Sequence, residues 1–219
     1  MARFIDVSHD VVAGMTTYPG LPGPVITDHR SWEASHAHYA PGVEFQIGRI
    51  DMVANTGTYL DAPAHRYRDG FDLSRIPLES IAALPGVLVG AGVQAVDSAT
   101  FASVDVSGRA VLVHTGWSRH WGAEEYGSHD HRFLTEDAAQ FLVSQGASLV
   151  GIDSVNIDAT SATPGDRPVH SVLLRASIPI VEHLTNLDQL KGARFSFFAV
   201  PAKVRGMGSF PVRAFAIVD

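Results

Sequence analysis

The sequence predicts an α/β fold, in which a mixed β-sheet packs against helices within one domain. Short runs of β-branched or aromatic residues recur along the chain, and such runs are typical of strands. Two of them, AVLVH and SLVGI, are apolar at nearly every position, which predicts strands buried on both faces. The length of 219 residues fits a single domain covering residues 1–219.

Seven strands are predicted from these runs, in chain order. They cover residues 4–7, 45–53, 86–89, 110–114, 149–152, 195–200 and 214–218. Three helices are predicted, at residues 77–84, 135–145 and 181–190. The middle helix has the clearest signals, because Thr135 can cap it, Glu136 and Asp137 complement its dipole, and Gly146 can end it. It leads into SLVGI, a helix-to-strand step typical of α/β layers. Clusters of proline and glycine predict loops at 19–24, 164–168 and 206–211.

The composition excludes several classes of protein. A formal net charge of -7 and only 16 scattered basic residues argue against a nucleic-acid partner. There is no cysteine, so any metal would need His, Asp or Glu ligands. The N-terminus does not read as a secretory signal, and the longest apolar stretch, 84–93, is shorter than the roughly 20 residues of a membrane span. We therefore expect a cytoplasmic protein without a membrane partner.

The motifs of serine hydrolases and of nucleotide-binding enzymes are also missing. The sequence has no G-x-S-x-G elbow of a serine hydrolase. It has no glycine-rich loop for a nucleotide phosphate either, so we expect neither a nucleotide nor a flavin cofactor.

One stretch, NTGTYLDAPAH at residues 55–65, concentrates polar side chains next to an apolar run. If the strand continues through it, period-two alternation places Asn55, Gly57, Tyr59 and Asp61 on one face. A proline at position 63 then ends the strand and leaves His65 in a turn near Asp61, where imidazole and carboxylate can act on one reacting centre. The alternative is a plain strand-to-turn step, with Asp61 capping local amides.

This stretch resembles the signature of the kynurenine formamidase/cyclase family, His-x-Gly-Thr-His-x-Asp-x-Pro-x-His. The matching positions are Gly57, Thr58, Asp61, Pro63 and His65. Other parts of the chain resemble the family too, namely FIDVSHDVVAGMTTYPG, VLVHTGW, GIDSVNID and PVHSVLLRASIPIVEHLTNLDQL. The resemblance implies a barrel-like sheet, a homodimer or larger homo-oligomer, and hydrolysis of a small amide, lactam or ester. The implied reaction is similar to aryl formamide (N-formylkynurenine type) hydrolysis in tryptophan breakdown.

The resemblance also implies roles for individual residues. Asp61, His170 and Glu182 match metal ligands, and His65 matches the catalytic acid/base. Asn55 and Tyr59 stand where the family has its first two histidines. Because amide and phenol groups are poor ligands for zinc or manganese, we expect one divalent ion at most, with water in the open positions.

Two alternatives follow from the loss of those histidines. Asn55 and Tyr59 can instead complete a metal-free polar network, in a metal-independent cyclase, isomerase or lyase where Tyr59 donates to a developing oxyanion. The other alternative is a non-catalytic homologue that still binds a small molecule.

Aromatic residues elsewhere are candidates to line the pocket. Thr115 and Trp117, in the HTGW turn, are predicted to contact substrate, with a core tryptophan as the alternative. Asn55, Trp32 and Tyr39 are further candidates for substrate contact. The segment 35–42, with Trp121 and Tyr126, is predicted to contact a partner subunit.

Overall fold

The computed structural model of the chain describes residues 2–161 and 165–218. Its strands are β1 (Arg3–Asp6), β2 (Val25–Arg30), β3 (Ile47–Asp51), β4 (Tyr59–Asp61), β5 (Leu84–Gly90), β6 (Ala95–Val96), β7 (Ala110–His114), β8 (Phe133–Leu134), β9 (Leu149–Ile152), β10 (Ile180–Glu182), β11 (Phe195–Phe198), β12 (Ser209–Pro211) and β13 (Phe215–Val218). Its α-helices are α1 (Trp32–His36), α2 (Glu136–Ser144) and α3 (Pro168–Arg175). Short 3₁₀ turns connect many of these elements.

Nine of the strands form one curled, mixed sheet in the order β1-β13-β11-β5-β7-β9-β10-β4-β12. The central strands β5, β7, β9 and β10 are parallel, and the strands on either side of them pair antiparallel. This confirms the predicted α/β fold with a mixed, barrel-like sheet. The edge formed by β10, β4 and β12 carries the polar residues discussed below.

The central strands are buried on both faces, as their continuous apolar sequences predict. Along β7, Ala110 and Leu112 pack into one hydrophobic core, while Val111 and Val113 pack into the other. Because successive side chains point to opposite faces of a sheet, a strand can serve two cores only if every position is apolar. Helices α2 and α3 contribute Leu142 and similar residues to the second core.

A hairpin arm, which we define as residues 25–51, stands apart from the main sheet. Strands β2 and β3 pair only with each other in a two-stranded sheet, and nearly all of their residues are exposed. The exposed residues of this arm include Ile26, Ile47 and Ile50. A two-stranded sheet is at best marginally stable by itself in water, and the other described residues leave the apolar surface of this arm uncovered.

Most predicted strands are confirmed, with small shifts at their ends. The prediction of a strand at 45–53 is correct for Ile47–Asp51, but this strand belongs to the arm. It does not continue through Asn55, because the chain bends at 54–58 and Gly57 has a φ of +65°. Of the four residues predicted to share one face of a strand, only Tyr59 and Asp61 therefore lie in a strand, β4.

Of the three predicted helices, the one at 135–145 is confirmed as α2, although the side chain of Thr135 makes no capping hydrogen bond and donates to Asp137 instead. The predicted helix at 181–190 is wrong, because Ile180–Glu182 pairs as β10 and positive φ angles at His183 and Asn186 break any helix. The predicted helix at 77–84 is only a 3₁₀ turn at Leu78–Ser80, since β5 begins at Leu84 ahead of Pro85.

Two predicted loops contain regular structure. Residues 209–211 of the predicted loop 206–211 form β12, the edge partner of β4. The predicted loop 164–168 lies partly outside the described residues, and Pro168 begins α3, where a first-turn proline is well tolerated. No helix among residues 2–161 and 165–218 has the length and apolar character needed to cross a bilayer.

Candidate active site

Three adjacent strands place the polar residues of the site opposite one another. In the antiparallel ladders of β4, Tyr59 lies opposite Glu182 of β10, and Asp61 lies opposite Ser209 of β12. Residues directly opposite on neighbouring strands have their Cβ atoms within about 5.5 Å. The register of the sheet edge therefore pairs each predicted residue of β4 with a polar partner.

Ser209 connects Asp61 to His65. Its hydroxyl donates a hydrogen bond to Asp61 Oδ1, and its Oγ lies 2.7 Å from His65 Nδ1. His65 is held in the 3₁₀ turn Pro63–His65 that follows β4, and its Nδ1 is 3.5 Å from Asp61 Oδ1. The predicted proximity of Asp61 and His65 is thus present, with a serine between them.

This contact fixes the tautomer of His65. A serine hydroxyl has a single proton, which Ser209 gives to Asp61. His65 Nδ1 must then be the donor to Ser209 Oγ, so the lone pair of the neutral imidazole lies on Nε2. The side chain of His65 is 34% exposed and lines a pocket, which allows Nε2 to accept a proton from a bound molecule.

His170 is oriented from behind by Asp158. The carboxylate of Asp158 lies 2.6 Å from His170 Nδ1 and also accepts from the backbone N–H groups of Val169 and His170. It therefore fixes both the first turn of α3 and the imidazole ring. Nε2 of His170 points toward Asp61 Oδ2 and Glu182 Oε1, at 3.6 and 3.7 Å.

Glu182 is held on both of its oxygens. The Tyr59 hydroxyl donates to Oε2 at 2.5 Å, and the backbone N–H of Ile157 donates to Oε1 at 2.6 Å. Burial, followed by the charge of Glu182, raises the pKa of Tyr59 well above its ordinary value, so the phenol keeps its proton. Because this proton is already donated to Glu182 in a hydrogen bond, donation from Tyr59 to an oxyanion would require breaking that bond.

Buried charges determine the protonation states of the site. Burial raises the pKa of Glu182 to about 7, and the charge of Asp61 acts in the same direction. Burial also disfavours the charged form of His170, but the carboxylates of Glu182, Asp158 and Asp61 outweigh it and raise the pKa of His170 to about 10. Burial likewise acts to raise the pKa of Asp61, yet His65, His170 and Ser209 hold that pKa below its ordinary value. One cation thus lies among three carboxylates.

The donor atoms fit a single divalent ion. Asp61, His65 and His170 each offer one ligand atom, and these atoms lie within 4.8 Å of one another. Glu182 is outside this group of three, but its Oε1 lies 3.7 Å from His170 Nε2 and it can replace His65 as the third ligand. Asp61 Oδ2 is buried and has no hydrogen-bond partner among the described residues. Ligands with bonds of about 2.1 Å to one tetrahedral ion are separated by about 3.4 Å, close to the spacing of His170 Nε2 from Asp61 and Glu182. The orphaned oxygen and the oriented imidazole are the features expected of a metal site.

Most of these groups line a pocket of about 410 Å³, but Asp61 is fully buried and does not line it. Its walls are formed by Tyr18, Leu21, Asn55, Tyr59, His65, Arg66, Asn156, Arg167, His170 and Glu182. The structure thus brings Asn55, predicted to contact substrate, to the pocket that Tyr59, His65, His170 and Glu182 also line. A larger cavity of about 500 Å³, lined by residues between 14 and 19 and between 121 and 127, contains none of them.

The other four predicted substrate contacts do not line the 410 Å³ pocket. Thr115 is buried and donates to the carboxylate of Asp153, while Trp117 packs in a small core and donates to the carbonyl of Tyr126. The core alternative for Trp117 is therefore the one observed. Trp32 and Tyr39 are about half exposed on the hairpin arm.

A group of aromatic and imidazole rings packs close behind Tyr59. The His183 ring centroid is 5.2 Å from that of Tyr59, and His183 Nδ1 lies 2.7 Å from the Tyr126 hydroxyl. Tyr126, predicted to contact a partner subunit, is only 3% exposed and belongs to this interior group. Trp121 stacks on His9 at 3.9 Å, so both aromatic residues are engaged within the chain.

His9 gives the fold an acid-sensitive group. Burial lowers the pKa of His9 to about 4, so folding favours its neutral form. The contribution of His9 to the free energy of unfolding is fully present above about pH 6.5, the pKa of histidine in the unfolded chain. This contribution is lost as the pH falls toward 4. Lowering the pH from 7.5 to 5 should reduce the free energy of unfolding of both the wild type and His9→Phe, a variant that keeps the stacking ring. We expect the reduction to be about 1 kcal/mol smaller in the variant, a figure that allows for the partial exposure of His9. Urea unfolding at both pH values measures this, and an equal loss in both proteins would contradict it.

Gly208 allows β12 to approach the turn that holds His65. A Cβ atom at position 208 would lie 2.3 Å from the backbone nitrogen of His65, which cannot move aside. We expect Gly208→Ala to destabilise the protein by about 1–3 kcal/mol and to displace His65. Chemical unfolding measures the loss. Gly92→Ala, where a Cβ meets nothing within 4 Å, is the matched control, and equal stability of the two variants would contradict the prediction.

Two residues that hold the site were not predicted as site residues. Ser209 lies in a stretch interpreted as a loop, and only the pairing of β12 with β4 brings it to Asp61. Asp158 lies in GIDSVNID, where a run of buried polar residues directly after an apolar strand was the available signal. Both contacts join residues far apart in sequence, which spacing alone does not reveal.

Comparison with known proteins places the chain in a family. Residues 5–159 match the family model described as "Putative cyclase". The chain is 29% identical over 212 residues to a kynurenine formamidase of Salinibacter ruber, covering 96% of this chain and 95% of the relative. A solved structure described as a potential metal-dependent hydrolase with cyclase activity aligns with a TM-score of 0.80 at 26% identity, over 100% of this chain and 99% of that chain.

The fold is shared more widely than the sequence. Isatin hydrolase A from Labrenzia aggregata aligns with a TM-score of 0.84 at 22% identity, covering 99% of this chain and 94% of that one. The family match spans well over half of the chain and includes Asp61 and His65, and the structural matches cover the whole sheet. The chain therefore belongs to the cyclase family.

Proposed function

We propose that the protein hydrolyses a small amide, lactam or ester, with an aryl formamide of the N-formylkynurenine type as the model substrate. The observation that carries the proposal is the lone pair of His65 Nε2 in a pocket that His170 and Glu182 also line. The buried carboxylate of Asp61 lies 3.5 Å from the other nitrogen of His65. A base with an open nitrogen, beside buried carboxylates, is the arrangement that general acid/base hydrolysis requires. The kynurenine formamidase relatives support a bond of the C–N type, other than a peptide bond.

In this reaction His65 first accepts a proton and later donates it. Nε2 accepts a proton from water as the water oxygen bonds to the substrate carbonyl carbon. The C–N bond then breaks, and the protonated imidazole returns the proton to the leaving nitrogen. Ser209 and Asp61 stabilise the imidazolium between the two steps, because Asp61 is charged and 3.5 Å from Nδ1.

We further propose that Asp61, His170 and Glu182 hold one divalent ion, zinc or manganese. When bound, such an ion polarises the carbonyl and lowers the pKa of water. Tyr59 keeps Glu182 in place through its hydroxyl. The similarity to a potential metal-dependent hydrolase supports a metal, and the orphaned Asp61 Oδ2 supports its position.

Metal content and turnover test these proposals together. The protein, purified without chelator or metal-affinity resin, is analysed for metal and assayed on N-formylkynurenine and a small lactam. We expect about one equivalent per chain, with activity that chelation removes and zinc or manganese restores. Turnover that survives exhaustive chelation would instead support a metal-independent enzyme using His65. Binding without turnover of any amide, lactam or ester would support a non-catalytic homologue.

We also propose that the protein is a homo-oligomer, assembled through the hairpin arm. Its exposed surface carries the cross-strand pair Ile26 and Ile50 and the half-exposed Trp32 and Tyr39. An exposed sheet of this kind, with open edges and apolar side chains, is a surface that another protein chain usually covers. A second copy of this chain is the occupant we propose.

Light scattering after size-exclusion chromatography tests the assembly. We expect a mass of two chains or more for the wild type and one chain for the double variant Ile26→Thr and Ile50→Thr, since threonine keeps β-propensity while removing apolar surface. A matched variant, Leu78→Thr, changes an exposed apolar residue outside the arm and should not change the mass. A monomeric wild type would contradict the proposal.

A further inference from the structure

Two guanidinium groups line the same pocket as the catalytic cluster. Arg66 follows His65 directly in sequence, and Arg167 lies just before α3, three residues ahead of His170. Both belong to a chain with 16 basic residues and a net charge of -7. The hydrolytic reaction described above gives neither arginine a part, so their place in this pocket requires another explanation.

Neither arginine is paired with a carboxylate among the described residues. Arg66 Nε donates to Ser171 Oγ at 3.1 Å. Arg167 Nη1 donates to the carbonyl of Ala159 at 3.0 Å, and Nη2 lies 3.5 Å from the Tyr18 hydroxyl. A guanidinium group has five N–H donors. Each arginine therefore keeps at least three donors that no described protein bond uses.

Arg167 is held in place by both backbone and side chain. Its φ of +88° lies in the left-handed region, which costs a residue other than glycine on the order of 1 kcal/mol. The bond from its guanidinium to Ala159 ties the side chain to the segment that carries Asp158 and Asn156. Arg167 is half-buried, whereas Arg66 is exposed, so Arg167 is the better placed of the two for a fixed contact.

We propose that Arg167, assisted by Arg66, binds a carboxylate group of the substrate. The planar fork of a guanidinium group matches the two oxygens of a carboxylate, and such paired bonds are stronger than neutral ones. The inference rests on the proposed function and narrows it to small amides that bear a carboxylate. In a protein of negative net charge, these two cations also offset the repulsion of an anionic substrate.

A matched pair of substrates tests the proposal. The compounds 2-formamidobenzoate and 2-formamidobenzamide present the same aryl formamide bond and differ in one carboxylate. We expect wild-type kcat/KM to favour the carboxylate by about ten-fold or more, mainly through KM. In Arg167→Gln the ratio of kcat/KM for the carboxylate to kcat/KM for the amide should fall to about one to two. In Arg66→Gln this ratio should also fall, but by a smaller factor. Arg68→Gln, an exposed neighbour that does not line the pocket, should keep the wild-type preference.

Calorimetry separates this inference from the hydrolytic function. Binding of 2-aminobenzoate and 2-aminobenzamide is measured with wild type, Arg167→Gln and Arg167→Lys, and it needs no turnover. Tighter binding of the carboxylate by wild type, lost in Arg167→Gln and partly kept in Arg167→Lys, supports the proposal even if no amide is hydrolysed. Equal affinity of wild type for both compounds overturns it. A preference that persists in Arg167→Gln also overturns it, because the carboxylate then binds elsewhere.

Discussion

Replacing His65 with glutamine is expected to lower kcat for an aryl formamide by about 10²–10⁴-fold, the usual contribution of a general acid/base. Glutamine can still bond to Ser209, but it cannot accept and return a proton. Because His65 is one-third exposed, the variant should keep its fold and its KM within a few-fold. Steady-state kinetics on protein matched for circular dichroism and metal content provides the measurement.

Two further variants make this result specific to position 65. His36→Gln removes an exposed imidazole on the hairpin arm and should leave kcat unchanged. Ser209→Ala removes the group that fixes the tautomer of His65 and bonds Asp61, and should reduce kcat by about ten-fold while His65 itself remains. An unchanged kcat in His65→Gln would exclude His65 as the acid/base.

The sequence predicted the parts of the fold that depend on local pattern. The apolar run AVLVH identified β7 as a strand with two buried faces, and the capping and dipole signals around Thr135 identified α2. Residues 181–190 have an apolar residue at every third position, which favours a helix. The strand pairing of Val181 with β4 and β9 decided that case, and no local signal reports pairing between distant segments.

In the site too, the contact between residues close in sequence could be predicted, whereas contacts between distant residues could not. Asp61 and His65 lie four residues apart, so the sequence could predict their proximity. His170 and Glu182 are identified through the family resemblance, and the structure places His170 Nε2 within 3.7 Å of the carboxylates of both Asp61 and Glu182. Ser209 and Asp158 were missed because serine and aspartate are common in loops and their partners lie elsewhere in the chain.

The two missing histidines have a physical consequence that the sequence alone could not supply. Tyr59 faces Glu182 across the β4–β10 ladder, and its hydroxyl bonds Oε2. The phenol thus occupies one side of a carboxylate that we propose as a metal ligand. This supports a single ion and not a pair, because the oxygen that Tyr59 holds is less available to a second one.

Replacing His170 with glutamine is expected to lower the free energy of unfolding by about 3–5 kcal/mol. With its pKa raised to about 10 by Glu182, Asp158 and Asp61 against the effect of burial, His170 is the cation among three buried carboxylates. Removing one partner of a buried charged group leaves the others uncompensated, which carries a cost of this size. Urea unfolding at pH 7.5 measures this cost, and a chelator in the buffer removes any stabilisation by bound metal.

The same variant tests the metal site by a second route. Zinc or manganese should raise the unfolding midpoint of the wild type, because an ion that binds only the folded state stabilises it by mass action. His170→Gln should lose that increase, and Asp158→Ala, which keeps the ligand but removes the acceptor that orients it, should weaken metal affinity by about 10–100-fold. His36→Gln should retain the wild-type response. If His170→Gln unfolds within 1 kcal/mol of the wild type, the three carboxylates do not depend on this imidazole for their compensation, and the charge arrangement derived above is wrong.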